Sequence, residues 1–158
     1  MNLAAGRFLV PRLYEGSPYV AKFVALFERV AGRLGARVLF CDDVTERDLP
    51  DDCPFVVVLK PVQWGRSDRF RGLLSLPGRI QVFGLWDDIH QGPKGTRYLS
   101  RDRWVLTRFF RRCDAILCTS HDPFVQWYPR HAAKLVHFPH FFRVDDFRDV
   151  TYNEAPID

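Results

Sequence analysis

Six short apolar runs constrain this chain more than any other feature: RFLV (7–10), RVLF (37–40), FVVVL (55–59), RIQVFGLW (79–86), AILCT (115–119) and KLVHF (134–138). Each has the length of a β-strand. Most are continuous rather than alternating, so both faces of each strand must be covered. That is the mark of a parallel sheet packed on both sides. Parallel neighbours cannot be joined by tight hairpins and need crossover segments.

The segments between the runs supply those crossovers. Ser17 and Pro18 form a cap-plus-proline start, and Val20, Phe23, Val24, Phe27, Val30 and Leu34 follow at three- and four-residue steps. This spacing predicts a helix over 18–34, ended by Gly35 in a left-handed conformation. Ser100 can cap a second helix with Val105, Leu106, Phe109 and Phe110 inside and arginines outside. Asp122-Pro123 repeats the cap-plus-proline start before Phe124, Trp127 and Tyr128, and a weaker helical pattern covers 66–75. The alternation predicts an α/β fold: a doubly wound, mainly parallel sheet, Rossmann-like, with helices on both faces and right-handed crossovers. The expected domain is 1–142. From 143 to 158 the sequence turns polar and acidic and reads as a linker or the start of a crossover.

The 158 residues are 47% hydrophobic, enough for one domain with a real core and too apolar for a disordered chain. No apolar run approaches the roughly 20 residues that span a bilayer. The N-terminus lacks the basic start and unbroken apolar stretch of a signal peptide, so the expectation is a cytoplasmic protein. Cys41, Cys53, Cys113 and Cys118 contain no CxxC pair. Zinc or a disulfide is conceivable for them, but reduced core thiols are the plainer reading.

Net charge is +4, and Arg97, Arg101, Arg103, Arg108, Arg111 and Arg112 cluster within sixteen residues. They form either a solvated helix face or a patch for anionic lipid headgroups or an anionic substrate, with Arg101, Arg108, Arg111 and Arg112 as its core. No nucleic-acid-binding motif accompanies them.

In open α/β sheets ligands bind beyond the carboxyl ends of the strands. This nominates the loops carrying Tyr14-Glu15-Gly16-Ser17, Asp42-Asp43, Gln63-Trp64-Gly65, Asp87-Asp88-Ile89-His90, Ser120-His121-Asp122 and His140. A dinucleotide-binding GxGxxG, a Walker A sequence and a GxSxG elbow are all absent. The acids of a phosphoacceptor receiver domain would follow strands one and three, whereas Asp42-Asp43 follow strand two. Asp87-Asp88 also differ from an Asp-x-Asp metal site, because adjacent side chains diverge on an extended backbone. No metal or cofactor is expected.

The stretches RRCDAILCTSHDPFVQWYP (111–129) and AAKLVHFPHFFRVDDF (132–147) resemble the N-terminal half of GT-B glycosyltransferases, most of all the family 1/family 4-like retaining enzymes. In that family a basic helix leads into an "ADxI…S" strand. A short helix then precedes a "Kv…iPhGvD" strand, after which the chain crosses to a second Rossmann domain. Phe141-Phe142 stand where the family commonly has glycine.

The resemblance implies an acceptor-binding half that serves a sugar or lipid-linked acceptor. The nucleotide-sugar donor would be held by a C-terminal domain outside these 158 residues, without which the chain is inactive. It implies that the loop after the fourth strand faces the cleft, making His90, Asp88 and Asp87 the catalytic candidates. Such groups accept a proton from the acceptor hydroxyl or hydrogen-bond the transferring sugar. Gly16, Ser17, Trp64, Ser120, His121 and His140 are the acceptor-binding candidates. Gly16 would allow close approach to a helix N-terminus, and Trp64 would stack on a sugar. The plainer alternatives stay open: Asp88 and His90 in a polar turn, Ser17 and Asp122 as helix caps, and Trp64 as a packed aromatic. For the whole chain the alternative is a non-catalytic α/β binding or scaffolding module.

Overall fold

The computed structural model describes residues 2–18, 21–59, 71–86, 106–118 and 121–137. Six strands form one sheet: β1 (Arg7–Pro11), β2 (Arg37–Cys41), β3 (Phe55–Leu59), β4 (Gln81–Trp86), β5 (Ala115–Cys118) and β6 (Leu135–His137). Their spatial order is β2-β1-β3-β4-β5-β6. All five pairings are parallel, with Leu9 opposite both Leu39 and Val58, and Leu85 opposite both Leu59 and Leu117. The apolar runs are thus the strands of an all-parallel sheet, as their unbroken hydrophobicity required. β3 is buried at every position.

The strand order reverses between β1 and β3. From β1 the chain crosses outward to β2, then returns past β1 to β3 and continues in one direction. The outward crossover contains α1 (Ala21–Leu34). Phe27 and Ala31 of α1 pack with Phe8, Val10, Phe55, Val57 and Leu59 on one sheet face. The return crossovers contain α2 (Arg71–Leu74), α3 (106–112) and α4 (His121–Trp127). They bring Leu73, Leu106, Phe109 and Phe124 against Leu9, Val56, Val58, Val82 and Ile116 on the opposite face. The sheet is therefore covered from both sides.

Helix α1 ends as its sequence predicts. Gly35 has φ 71°, its N–H donates to Gly32 O at 3.2 Å, and the Ala36 N–H donates to Ala31 O at 2.9 Å. This paired closure satisfies carbonyls that the helix end would leave bare. The start and the inner stripe differ from expectation. Pro18 lies in a turn, so the regular helix begins later than residue 18. Val30 is 37% exposed, while Ala31 is 2% exposed. At 3.6 residues per turn, Val24, Phe27, Ala31 and Leu34 share a narrow face, and Val30 falls on its flank. The small Ala31 lets α1 approach the sheet closely.

The amino edge of the sheet is held by polar side chains. The Lys134 Nζ donates to the carbonyls of Phe110, Arg111 and Cys113 at 3.2, 2.9 and 2.6 Å. A cation thereby closes the C-terminus of α3, where the helix dipole favours positive charge. One Arg112 nitrogen donates to the carbonyls of Leu76, Pro77 and Ile80 at 3.3, 3.1 and 2.8 Å. The other lies 3.6 Å from Asp114 Oδ2, which accepts the Val82 N–H at 2.8 Å. Arg112 was expected on an outward basic patch. Instead its guanidinium is turned inward, because three carbonyls of the 76–80 turn need a donor.

His131 lies in the 3-10 turn Pro129–Lys134, buried with its ring 6.0 Å from that of Phe110. Burial, reinforced by Lys134, Arg111 and Arg130, holds its imidazole below the ordinary range and favours the neutral form.

Candidate functional site

The carboxyl edge of the sheet is built from strand ends that the core fixes. At the reversal point β1 stops at Pro11, whose ring supplies no N–H to extend the ladder. The chain turns through Arg12–Tyr14, with the Glu15 N–H donating to Arg12 O at 2.9 Å and the Ser17 N–H to Tyr14 O at 3.0 Å. Gly16 has φ 70°, a conformation that side-chain-bearing residues resist. A Cβ added there would meet nothing within 4 Å, so the space above the backbone is open. Tyr14 packs half-buried against the α1-side core, while Leu13 is 60% exposed beside it. Gly16 and Ser17 thus stand on the edge the sequence assigned them. Ser17 takes part in the turn through its own N–H, four positions before Ala21, the first residue of α1.

Asp42-Asp43, at the end of β2, have a different fate. Asp43 Oδ1 accepts the N–H groups of Val44 and Leu73 at 2.8 and 3.2 Å, and Oδ2 accepts that of Gly72 at 3.1 Å. The carboxylate satisfies the open donors at the start of α2 and ties two crossovers together across 30 positions. Asp43 is structural. Asp43→Ala should lower the unfolding free energy by about 1–3 kcal/mol, the usual cost of leaving buried donors unmatched. Asp43→Asn, which keeps one acceptor oxygen, should recover part of it. Urea denaturation of the two variants measures both.

β4 ends at Trp86, and Asp87, Asp88 and His90 follow it directly in the chain. Those three residues, with Trp64, Ser120, His140 and Arg101, lie outside the described residues. His121 opens α4 immediately beyond the end of β5, placing its backbone on the same edge. Spacing of about 4.8 Å between neighbouring strands puts the end of β4 roughly 10 Å from that of β1, and the end of β5 roughly 14 Å away. Strand ends so spaced can all be reached by one elongated ligand.

His137 was not among the nominated residues. It is exposed at the last position of β6 and pairs in register with Cys118. Its sequence signal is weak: a lone polar residue inside an apolar run.

The four cysteines are buried and outside any disulfide, all in the core on the α2–α4 face. Burial, with Asp43 and Asp42 nearby, pushes the Cys41 thiol up to about 12. Burial raises Cys53 and Cys113 as well. A thiol must lose its proton to act as a nucleophile or metal ligand, so these three are poorly suited to either role. Among the described residues no three His, Cys, Asp or Glu side chains gather where they could hold a metal ion. Among them, too, no helix is long and apolar enough to cross a membrane.

Compared with protein-family models, curated proteins and solved structures, the chain matches none.

Proposed function

We propose that this chain is the acceptor-binding half of a GT-B type glycosyltransferase, moving a sugar from a nucleotide-sugar donor to a hydroxyl acceptor. The observation that carries the reading is the succession β5 (Ala115–Cys118), α4 (His121–Trp127) and β6 (Leu135–His137). The family-like segments CDAILCTS and KLVHFPHFF require a strand, a short helix and a strand in that order. The all-parallel sheet, with its strand ends sharing one edge, adds support, because an acceptor sugar can lie across loops some 10–14 Å apart.

In this reading Gly16, Ser17, Trp64, Ser120, His121 and His140 bind the acceptor, Gly16 and Ser17 from the reversal point of the sheet. His90, helped by Asp87 or Asp88, takes the proton from the acceptor hydroxyl or hydrogen-bonds the sugar in flight. The donor is held by the second domain that the glycosyltransferase resemblance implies. No metal or organic cofactor enters the step. The reading implies a cytoplasmic enzyme.

The test uses the full gene product that carries this chain. Release of nucleoside diphosphate is measured with uridine, guanosine and adenosine diphosphate sugars against a panel of mono-, di- and lipid-linked acceptors. Turnover should appear with one donor class. His90→Ala should lower it by ~10²-fold, the lower end for a lost general acid/base or transition-state hydrogen bond, with the melting temperature unchanged. Absence of release with every pair would favour the non-catalytic binding module. Unchanged turnover in His90→Ala, Asp87→Asn and Asp88→Asn would remove the catalytic assignment and leave a polar turn.

A further inference from the structure

One buried titratable side chain lies outside both the carboxyl edge and the structural ties of Asp43, Arg112 and Lys134. His131 is 8% exposed. Its backbone N–H donates to Tyr128 O at 2.9 Å, which fixes its place early in the 3-10 turn. The imidazole meets Phe110 with centroids 6.0 Å apart and planes tilted by 60°. Phe124 and Tyr128 close round the same Phe110 ring at 5.1 and 5.0 Å, so the imidazole borders an aromatic cluster. Phe110 offers it neither a proton acceptor nor a counter-charge.

The charges that act on the ring are all of one sign. Lys134 and Arg130 come from the 3-10 turn itself and Arg111 from α3, and each disfavours a further positive charge. Arg108 and Arg112, the other cations of α3, add no negative charge, and burial keeps the Cys113 thiol protonated. The acids of the surrounding elements are engaged elsewhere. Asp114 accepts the Val82 N–H and faces Arg112, while Asp122 lies in the first turn of α4, at the end remote from the 3-10 turn. His137 stands at the far end of β6. Among the described residues no carboxylate compensates a charge on the His131 ring.

The same turn secures the edge of the sheet. Lys134 Nζ donates to three carbonyls at the end of α3, and β6 begins at the next residue. β6 is three residues long, stands last in the sheet and pairs with β5. So short an edge strand depends on the turn that precedes it.

We propose that His131 is an acid-sensitive clasp: the neutral ring lets the 3-10 turn close on α3, and protonation releases the turn and β6 while the rest of the sheet stays folded. An imidazolium would either add a positive charge to a site of three cations without a counter-ion, or move out into water. In the closed form burial holds the imidazole below its ordinary range, and opening restores it. Closure is therefore complete above the ordinary imidazole value of about pH 6.5, and weakens as pH falls from there towards the closed-form value. The proposal stands independently of the glycosyltransferase reading.

The experiment is hydrogen exchange of the full chain at about pH 7.5 and about pH 5.5, corrected for intrinsic exchange, with imidazole titration followed by NMR. Protection over 128–137 should fall by about tenfold relative to β3, since one pH unit below the ordinary imidazole value favours the protonated open form by that factor. His131→Phe keeps a ring but cannot titrate, and the fall should vanish. His90→Ala should show the wild-type acid response, which separates the clasp from the sugar site. In the unaltered chain the His131 imidazole should titrate below the ordinary histidine range. Constant protection of 128–137 in wild type, or an equal fall in β3, would overturn the proposal. So would a fall that persists in His131→Phe, or a His131 titration at or above the ordinary value. The exchange and titration of the unaltered chain decide the matter even where the phenylalanine variant fails to fold.

Discussion

Phe110→Ala is expected to lower the unfolding free energy by about 3–5 kcal/mol, the range for emptying a buried phenyl site. Phe110 is 0% exposed, and among the described residues four rings surround it. Phe109, Phe124, Tyr128 and His131 have ring centroids 5.7, 5.1, 5.0 and 6.0 Å away. These rings come from α3, α4, the residue that follows α4 and the 3-10 turn before β6. Phe110 is therefore the point at which the last two crossovers meet. Collapse cannot fill the gap, because Lys134 pins the 3-10 turn to the end of α3 at three carbonyls. Phe110→Leu keeps most of the volume and should cost less than about half as much. Urea denaturation of both variants, with the slope compared to wild type, gives the values. A loss below about 1 kcal/mol for the alanine variant would mean that this ring cluster is not close-packed.

Arg112→Met should cost about 2–4 kcal/mol. A hydrogen bond to a charged group contributes roughly 1.5–3 kcal/mol, and the neighbouring water can restore only part of what is lost. Methionine preserves the aliphatic stem, so the effect reports the guanidinium rather than packing. The carbonyls of Leu76, Pro77 and Ile80 would lose their shared donor, and Asp114 its cation. Arg112→Lys should recover little, since a single ammonium cannot reproduce the planar fork that spans the turn and the carboxylate together. Chemical denaturation measures the loss, and amide exchange at Ile80 and Val82 should quicken. A variant as stable as wild type would return Arg112 to the solvated surface.

The contrast between Arg112 and its neighbours shows where the sequence could be read. RFFRRCD states that a helix with apolar Phe109 and Phe110 carries arginines on its other side. Periodicity cannot say which arginine faces water and which faces a turn 32 positions earlier in the chain. Asp43 is a similar case. A carboxylate at a strand end has the same sequence signature whether it meets a ligand or three backbone N–H groups. Only the approach of α2 to the end of β2 decides that.

Val30 and Ala31 differ for a simpler reason. A hydrophobic stripe read by residue type favours valine, whereas the helix angle and the closeness of the sheet favour alanine. At the carboxyl edge, Gly16 and Ser17 could be located because a loop must follow β1. His137 escaped notice because one polar residue at a strand end breaks no pattern.

The sequence by itself determined that the chain is a parallel α/β sheet with crossovers on both faces. Continuous apolar runs must be buried on both sides, and periodic helical segments are the only connectors long enough to cover them. It also determined where α1 ends, since a glycine at that step admits the left-handed turn. The order β2-β1-β3-β4-β5-β6, and with it the reversal point beside Gly16, was decided by tertiary structure. Strand order depends on which faces fit one another across the sheet, and side chains far apart in sequence settle that only when they meet. The same holds for polar groups such as Asp43, Arg112 and Lys134. Their partners are backbone atoms, which carry no sequence identity until the fold brings them within reach.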